Sequence, residues 1–593
     1  MAEGGIGLSL GVVSAVIQTY SAVTTAYDTY LGIKEFPSAY QELRVGLLIE
    51  RYKLELWANQ ALSEEEQERA KLSQKYWPLW ELLDSIFNQM LEAFRRGDQT
   101  METYSQHTRL RRTVTFSGNV QILGFWACKS NNTNIVADGD LSENVSLAVK
   151  SHQKHPVVGF SQKVKFVLRD KKKMEQLITK LGFWNDSLDK MTSRLDQESS
   201  RRRLRSRLST SDITQLQHLE AAASIFAHPD IQRMANVRTV IEQGTQSEMH
   251  EVPQSIANAS PNSFLDSTSK YQIDQSQLHF HEMPYQTDQV RVMATYRQDS
   301  VIVDWRYCQE DTWRTKNPAA FRLRTANLTK ILNSDLRPLN LSILHCVGYL
   351  DQNSDITGYA FRLPPDALPG QKPVTLYQLL TRVESGNDIP DLGERFELAK
   401  ALVSTLFEIH NIGWMHKNIQ PKNILFWPKR DVNGDFNLSK PYLMGFDISR
   451  PDQPGEFSEK PPNRPEDDIY RHPDYRGEKT SSFQPSFDLY SLGIILYEIG
   501  MWRNVASQPK HRNSRTSSDP KDPQYIEQMV MSGPVLELKR YTGIRYRDAV
   551  VACLSRELDA VWEKQGVDRQ NQLNTYLEQV QNKIVDAIAH CSA

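Results

Sequence analysis

The chain has few cysteines and nothing that groups them. Cys128, Cys308, Cys346, Cys553 and Cys591 are scattered through 593 residues with no CxxC and no Cys/His cluster at metal-ligand spacing. A zinc framework is therefore excluded, no metal site is expected, and reduced thiols of a cytoplasmic protein are expected. Charge of one sign is lacking too: 70 Lys and Arg face 72 Asp and Glu, a net charge of −2. No global field marks a nucleic-acid partner, and none is expected. A basic segment ahead of the first apolar run is missing, because only Met1-Ala2-Glu3 precedes it, which argues against a secretory signal. From Gly4 to Tyr27 there is no charged residue at all. That run approaches the roughly 20 residues needed to span a bilayer, but Gly, Ser, Thr and Gln dilute it. Two readings stay open: a helix sunk in its own domain, and a segment that reaches lipid after a switch. Ile6, Leu8, Leu10, Val12, Val13, Val16 and Ile17 are its membrane-active candidates.

What is present falls into two regimes. In ELRVGLLIERYKLELWANQAL the apolar residues Leu43, Leu47, Leu48, Leu54 and Trp57 recur near one helical face. SQKYWPLWELLDSIFNQMLEAFRR repeats the pattern through Trp80, Leu83, Ile86 and Phe87, and VKFVLRDKKKMEQLITKLGFWNDSLDKM through Leu177, Leu181 and Trp184. An all-α helical bundle is expected over residues 5–238. Residues 239–285, rich in Ser, Gln, Asn and Asp, read as a polar linker. The strand-like runs VRVMATYR, SVIVDWRYC, ILHCVGYL and GYAFRLP follow, and after Tyr377 the pattern is helical. Strands first and helices after predict a two-lobed α+β domain over residues 286–590, divided at 376/377.

WMHKNIQPKNILF (Trp414 to Phe426) resembles the catalytic loop of the protein-kinase family, H-R-D-x-K-P-x-N, and Asp488-Leu489-Tyr490-Ser491-Leu492-Gly493 resembles the D-x-W-S-x-G of its central C-lobe helix. His472-Pro473-Asp474 stands where the family has A-P-E. The resemblance implies that Asp488 holds the loop backbone. It also implies that the chemistry is gone. After His416, Asn418 replaces the aspartate that accepts the substrate proton, and an amide is no such base. Gln420 replaces the phosphate lysine, Gly445-Phe446-Asp447 replaces D-F-G, and of the metal ligands only Asn423 is kept. RVMATYRQDSVIV holds no glycine where a phosphate-cradling loop belongs. The strand lysine aligns with Arg306, and AAFRLRTANLTKIL offers no glutamate to pair with it. A pseudokinase with no cofactor is expected.

The N-terminal half resembles the HeLo domain of fungal prion-inhibition and heterokaryon-incompatibility proteins. The match is carried by Ile6 to Tyr27, by YQELRVGLLIERYKLELWANQ and by FVLRDKKKMEQLITKLGFWNDSLDKM. It implies a helical bundle whose first helix permeabilises membranes in programmed cell death, with self-association or protein partners through that domain. Local charge agrees with a phospholipid partner. Basic residues outnumber acidic ones more than two to one between Lys150 and Arg207. Lys171, Lys172, Lys173, Arg201, Arg202, Arg203, Arg205 and Arg207 are lipid-contact candidates, each worth about 1 kcal/mol at an anionic leaflet; a solvated linker or an import tract is the competing reading. The expectation is a cytoplasmic cell-death-type effector, recruited to the plasma membrane on activation, in which a dead kinase-like domain controls a membrane-active bundle. The alternatives are a non-lytic interaction scaffold and an atypical active Ser/Thr kinase.

Overall fold

The computed structural model describes residues 3–32, 40–62, 77–106, 160–250, 270–281, 291–307, 318–333, 341–352, 356–367, 370–382, 389–428, 436–452, 465–476, 482–505, 534–563 and 567–593. The chain divides into two compact units, Met1–Gln197 and Glu198–Ala593.

The first unit is helical throughout its described residues: α1 (Glu3–Leu31), α2 (Gln41–Ala61), α3 (Trp77–Gln106) and α4 (Phe160–Asp189). Along α1, Val16, Val23, Tyr27 and Tyr30 are buried while Ala15, Gln18, Ser21 and Thr25 are exposed. This is the three-, four- and seven-residue spacing of a helix with one face in a core. The rings of Tyr20 and Trp57 pack on Phe87 at 5.8 and 5.9 Å, and those of Tyr27 and Tyr30 on Phe94 at 5.0 and 5.4 Å. Polar groups tie α1 down as well. The Thr19 hydroxyl donates to Asp84 at 2.8 Å, and Arg51 pairs with Asp28 at 3.1 Å. Val16 thus lies in the bundle core and Ile17 is half-buried; the side chains of Ile6, Leu8, Leu10, Val12 and Val13 lie outside the described residues. Among the described residues no helix is long and apolar enough to cross a membrane.

A carboxylate sits inside this bundle. Glu50, 1% exposed, accepts a 2.7 Å hydrogen bond from Asn185 Nδ2 and pairs with Lys53 at 3.4 Å. A buried charge persists only when paired and hydrogen-bonded, and α4 makes room for it with Gly182, where a Cβ would stand 3.2 Å from Glu50 Oε1.

The second unit is α+β. It begins inside α5 (Arg194–Leu208), followed by α6 (Ile213–Ile225), whose N-cap Asp212 accepts the Gln215 N–H, and α7 (Pro229–His250). Strands β1 (Leu278–Phe280), β2 (Arg291–Tyr296), β3 (Asp299–Tyr307), β4 (Cys346–Gln352) and β5 (Ile356–Arg362) form an antiparallel sheet in the order β1-β2-β3-β5-β4, with α8 (Pro318–Asn333) between β3 and β4. The four apolar runs read as strands are these last four. Alternation divides the sheet: Val301, Val303 and Trp305 face one small cluster, whereas Ile302 joins the main core. Helices α9 (Leu376–Thr381), α10 (Leu392–Asn411), α11 (Pro485–Met501), α12 (Ile544–Leu554) and α13 (Arg569–Val580) build the remainder. Short strands β6 (Val374–Thr375), β7 (Trp414–Met415), β8 (Ile424–Phe426), β9 (Tyr442–Leu443) and β10 (Arg450–Pro451) pair β6-β8-β9 and β7-β10. Residues 482–501 are almost wholly buried, so α11 is the central helix of this unit.

The compact units and the helices divide the chain at other points than the sequence reading used. Residues 198–238, read from sequence as bundle, belong to the second unit. The stretch read as linker from 239 begins as helix, because Val237 and Ile241 of α7 enter the main core beside Leu328, Ile331 and Leu332 of α8. The polar composition after Gln243 hides that apolar face.

Candidate functional site: a cleft closed by Arg291

The residues singled out around Trp414–Phe426 do converge. Asp488 of α11, fully buried, accepts hydrogen bonds from the backbone N–H groups of His416 and Lys417, both at 2.8 Å. His410 Nε2 lies 3.3 Å from the same carboxylate, and His410 Nδ1 lies 3.0 Å from the Tyr576 hydroxyl. Two backbone N–H groups held by one buried carboxylate are strong charge-assisted bonds, and they hold Lys417 at φ +68°, a left-handed conformation costly for a side chain. The Lys417 ammonium then lies over the rings of Tyr475 and Phe483, at 5.9 and 5.6 Å.

Beyond this scaffold three amide side chains of the loop make hydrogen bonds within the site. Asn418 Nδ2 donates to Asp447 Oδ1 at 3.1 Å, Gln420 Nε2 donates to Asn418 Oδ1 at 2.8 Å, and Asn423 Nδ2 donates to the Asn418 carbonyl at 2.8 Å. Gly445, at φ +86°, lets the chain pass so close to Asn423 that a Cβ would stand 2.4 Å from its amide nitrogen. Phe446 is buried and meets the His416 ring edge-on at 4.5 Å. Burial pushes the His416 imidazole down to about 4, and Asp488 and Asp447 only partly oppose it.

Asp304 of β3 reaches the loop; the side chain of Arg306, the strand residue that the sequence pointed to, lies outside the described residues. Asp304 is buried and accepts the Gly445 N–H at 3.1 Å. Its partner is Arg291 on the adjacent strand, directly opposite in the β2–β3 pairing and 3.1 Å away. Arg291 was not foreseen. Its guanidinium donates to the Lys422 carbonyl at 2.7 Å and to Asn423 Oδ1 at 2.6 Å. One cation thus bridges the sheet and the loop and engages Asn423, which stands at the position of a metal ligand in the family that the loop resembles. Burial raises the Asp304 carboxyl above the ordinary range, with Arg291 the first influence opposing it. The signal available from sequence was an aspartate inside an apolar strand, which demands a buried partner.

Other groups take structural parts. Asp474 and Asp559 beside His472 have metal-ligand chemistry, but Arg556 ion-pairs with both carboxylates and His472 stacks flat on Phe487 at 4.1 Å. An apolar cavity next to Phe446, walled by Val237, Leu328, Ile343, Ile412 and Trp414, measures about 20 Å³, which is room for little more than a water molecule.

The lipid-contact candidates separate. Lys171, Lys172 and Lys173 are exposed on α4. On α5, Arg203 pairs with Asp586 and Arg205 with Glu408, both within the second unit, while Arg202 lies 3.6 Å from Glu198. Arg201 is exposed, Arg202 half-buried and Arg207 exposed, and none of the three is without a partner. The tract RRRLRSR is therefore a fastening of α5 to the second unit rather than a uniformly solvated cluster.

Comparison with known proteins gives two family matches. Residues 7–220 match the HeLo family, described as prion-inhibition and propagation. Residues 330–590 match a domain of unknown function, DUF7580. Among curated proteins, the eIF-2-alpha kinase GCN2 of Homo sapiens is 27% identical over 139 residues, 22% of this chain and 8% of that protein. The corresponding protein of Rattus norvegicus is 26% identical over 145 residues, 23% of this chain and 9% of that protein. The chain thus spans less than a tenth of the length of these relatives. The N-terminal region is similar to HeLo domains, in a match that runs past the end of the first unit into α6.

Proposed function

We propose that the chain is a cell-death or incompatibility-type effector in which a kinase-like second unit, devoid of phosphoryl transfer, governs a membrane-active HeLo-like bundle. The observation that carries this reading is the pairing on one chain of the HeLo match with a cleft whose polar groups Arg291 already engages. A nucleotide with its metal would have to displace the half-buried Arg291 guanidinium from two hydrogen bonds and an ion pair, and Asn418 supplies no general base. The α+β architecture, the grip of Asp488 on residues 416 and 417, and the GCN2 similarity support a kinase-like fold for this half. In this reading the resting protein is cytoplasmic and reaches the plasma membrane when activated.

Dye leakage from anionic vesicles tests the lytic part. The activated chain releases dye, and Val12→Asp, which places a charge in the uncharged run, abolishes release; leakage that ignores this substitution refutes it. Titration with Mg-ATP tests the silent cleft: the melting temperature stays fixed, because only a bound ligand raises it. A non-lytic scaffold is the second reading, favoured by one observation, the inward packing of Val16, Val23 and Tyr27.

A further inference from the structure

Helix α4 carries an unusual outward face. Its core side is apolar: Leu177, Ile178, Leu181 and Leu188 are buried, together with Asn185. At 3.6 residues per turn the point opposite that side is Phe183, which is 62% exposed. Its ring contact among the described residues is with its own neighbour Trp184, at 5.0 Å. Around Phe183 on the same face stand Lys172, Lys173 and Lys180, and Lys190 follows just past the helix end, all exposed. Asp186 is the acidic residue closest to the middle of this face, and Lys53 of α2 neutralises it at 2.6 Å. Cations of one sign thus surround a bare aromatic ring along about 28 Å of helix.

A face built only for solvation mixes the two signs and keeps large aromatics away from its centre. Lysines whose stems can lie along an apolar surface while their ammonium groups reach phosphates, with an aromatic ring between them, are the composition of an interfacial helix. These charges lie along one side of a single helix, so a flat anionic surface meets them together. We propose that this face of α4, Lys172, Lys173, Lys180 and Lys190 around Phe183, docks the protein on an anionic lipid bilayer, with the Phe183 ring entering the headgroup layer. The proposal rests on the membrane-active reading of the bundle but assigns the docking step to α4, separate from any action of α1.

Co-sedimentation of the full chain with phosphatidylserine-containing and pure phosphatidylcholine vesicles tests it. The wild type binds the anionic vesicles, binds the neutral ones far more weakly, and loses affinity as salt rises. Lys180→Glu and Lys190→Glu each weaken binding by about fivefold or more. Phe183→Ser weakens it further without restoring any salt dependence lost with the lysines. All these positions are exposed, so the melting temperature stays at the wild-type value. Equal binding to neutral vesicles, no binding to either, or affinity unmoved by the three substitutions would overturn the proposal. Dye leakage measured on the same samples separates the two ideas. Binding that needs the α4 face without any leakage leaves docking standing and refutes lysis, whereas leakage indifferent to that face refutes docking alone.

Discussion

Arg291→Met is the sharpest perturbation of the closed cleft. In the wild type the Arg291 side chain is 16% exposed and that of its partner Asp304 8%, so solvent screens the pair little. Removing the cation leaves a buried carboxylate without its counter-ion and deprives Asn423 Oδ1 and the Lys422 carbonyl of a donor. Breaking a buried pair from one side costs about 3–5 kcal/mol, and the partial exposure of Arg291 places the expectation at the lower end, about 3 kcal/mol. Asp304→Asn in the Arg291→Met background removes the orphaned charge and recovers about 2 kcal/mol, so the double-mutant cycle shows strong coupling. Urea unfolding followed by tryptophan fluorescence reads this out, since Trp305 and Trp414 are buried close by in sequence. The pH dependence has a fixed sign. Asp304 is raised in the folded state, so its contribution is fully present below the unfolded carboxyl pKa and is lost as pH rises through the folded one. Arg291 opposes that rise, so its removal extends the loss and makes the deficit of Arg291→Met larger at neutral than at acid pH. A cost below about 1 kcal/mol with no coupling to Asp304 would refute the bridging role.

Three further outcomes follow from the same unit. Asp488→Ala strands two buried backbone N–H groups and is expected to cost about 3 kcal/mol or more, with faster hydrogen exchange at residues 416 and 417 as the specific readout. Glu498 is buried, accepts from the Tyr470 hydroxyl at 2.9 Å and the Val505 N–H at 2.8 Å, and is pushed up to about 8 by burial. Its contribution is present below an ordinary carboxyl pKa and is lost as pH rises from there through about 8, so Glu498→Gln flattens the stability profile over that window. His416, held down to about 4 by burial, acts in the opposite sense: stability falls as pH drops from the ordinary imidazole range toward 4, and His416→Phe removes that part of the acid sensitivity.

The helices around Leu43–Trp57 and Trp80–Phe87 and the four strands of the sheet were legible because one-sided burial imposes a period on the residues. Asp488 was legible because its neighbours form a motif. The pairing of Asp304 with Arg291 was not, for a reason of geometry: it depends on which residue of β3 faces the loop, and a shift of two residues along the strand keeps the same face. The place of α5 to α7 was hidden differently. Arg205 and Glu408 are joined across 203 positions, and no local pattern links them.

The position of α7 bears on how such a chain could have been assembled. With Val237 and Ile241 in its main core, and Arg203 and Arg205 set against Asp586 and Glu408, the second unit draws on residues from both sides of the polar stretch that looks like a joint. A recombination event at that stretch would tear open a hydrophobic interior and strand two acids. A division of the chain that leaves this core whole falls within α5, between Gln197 and Glu198 and so upstream of Arg203 and Arg205.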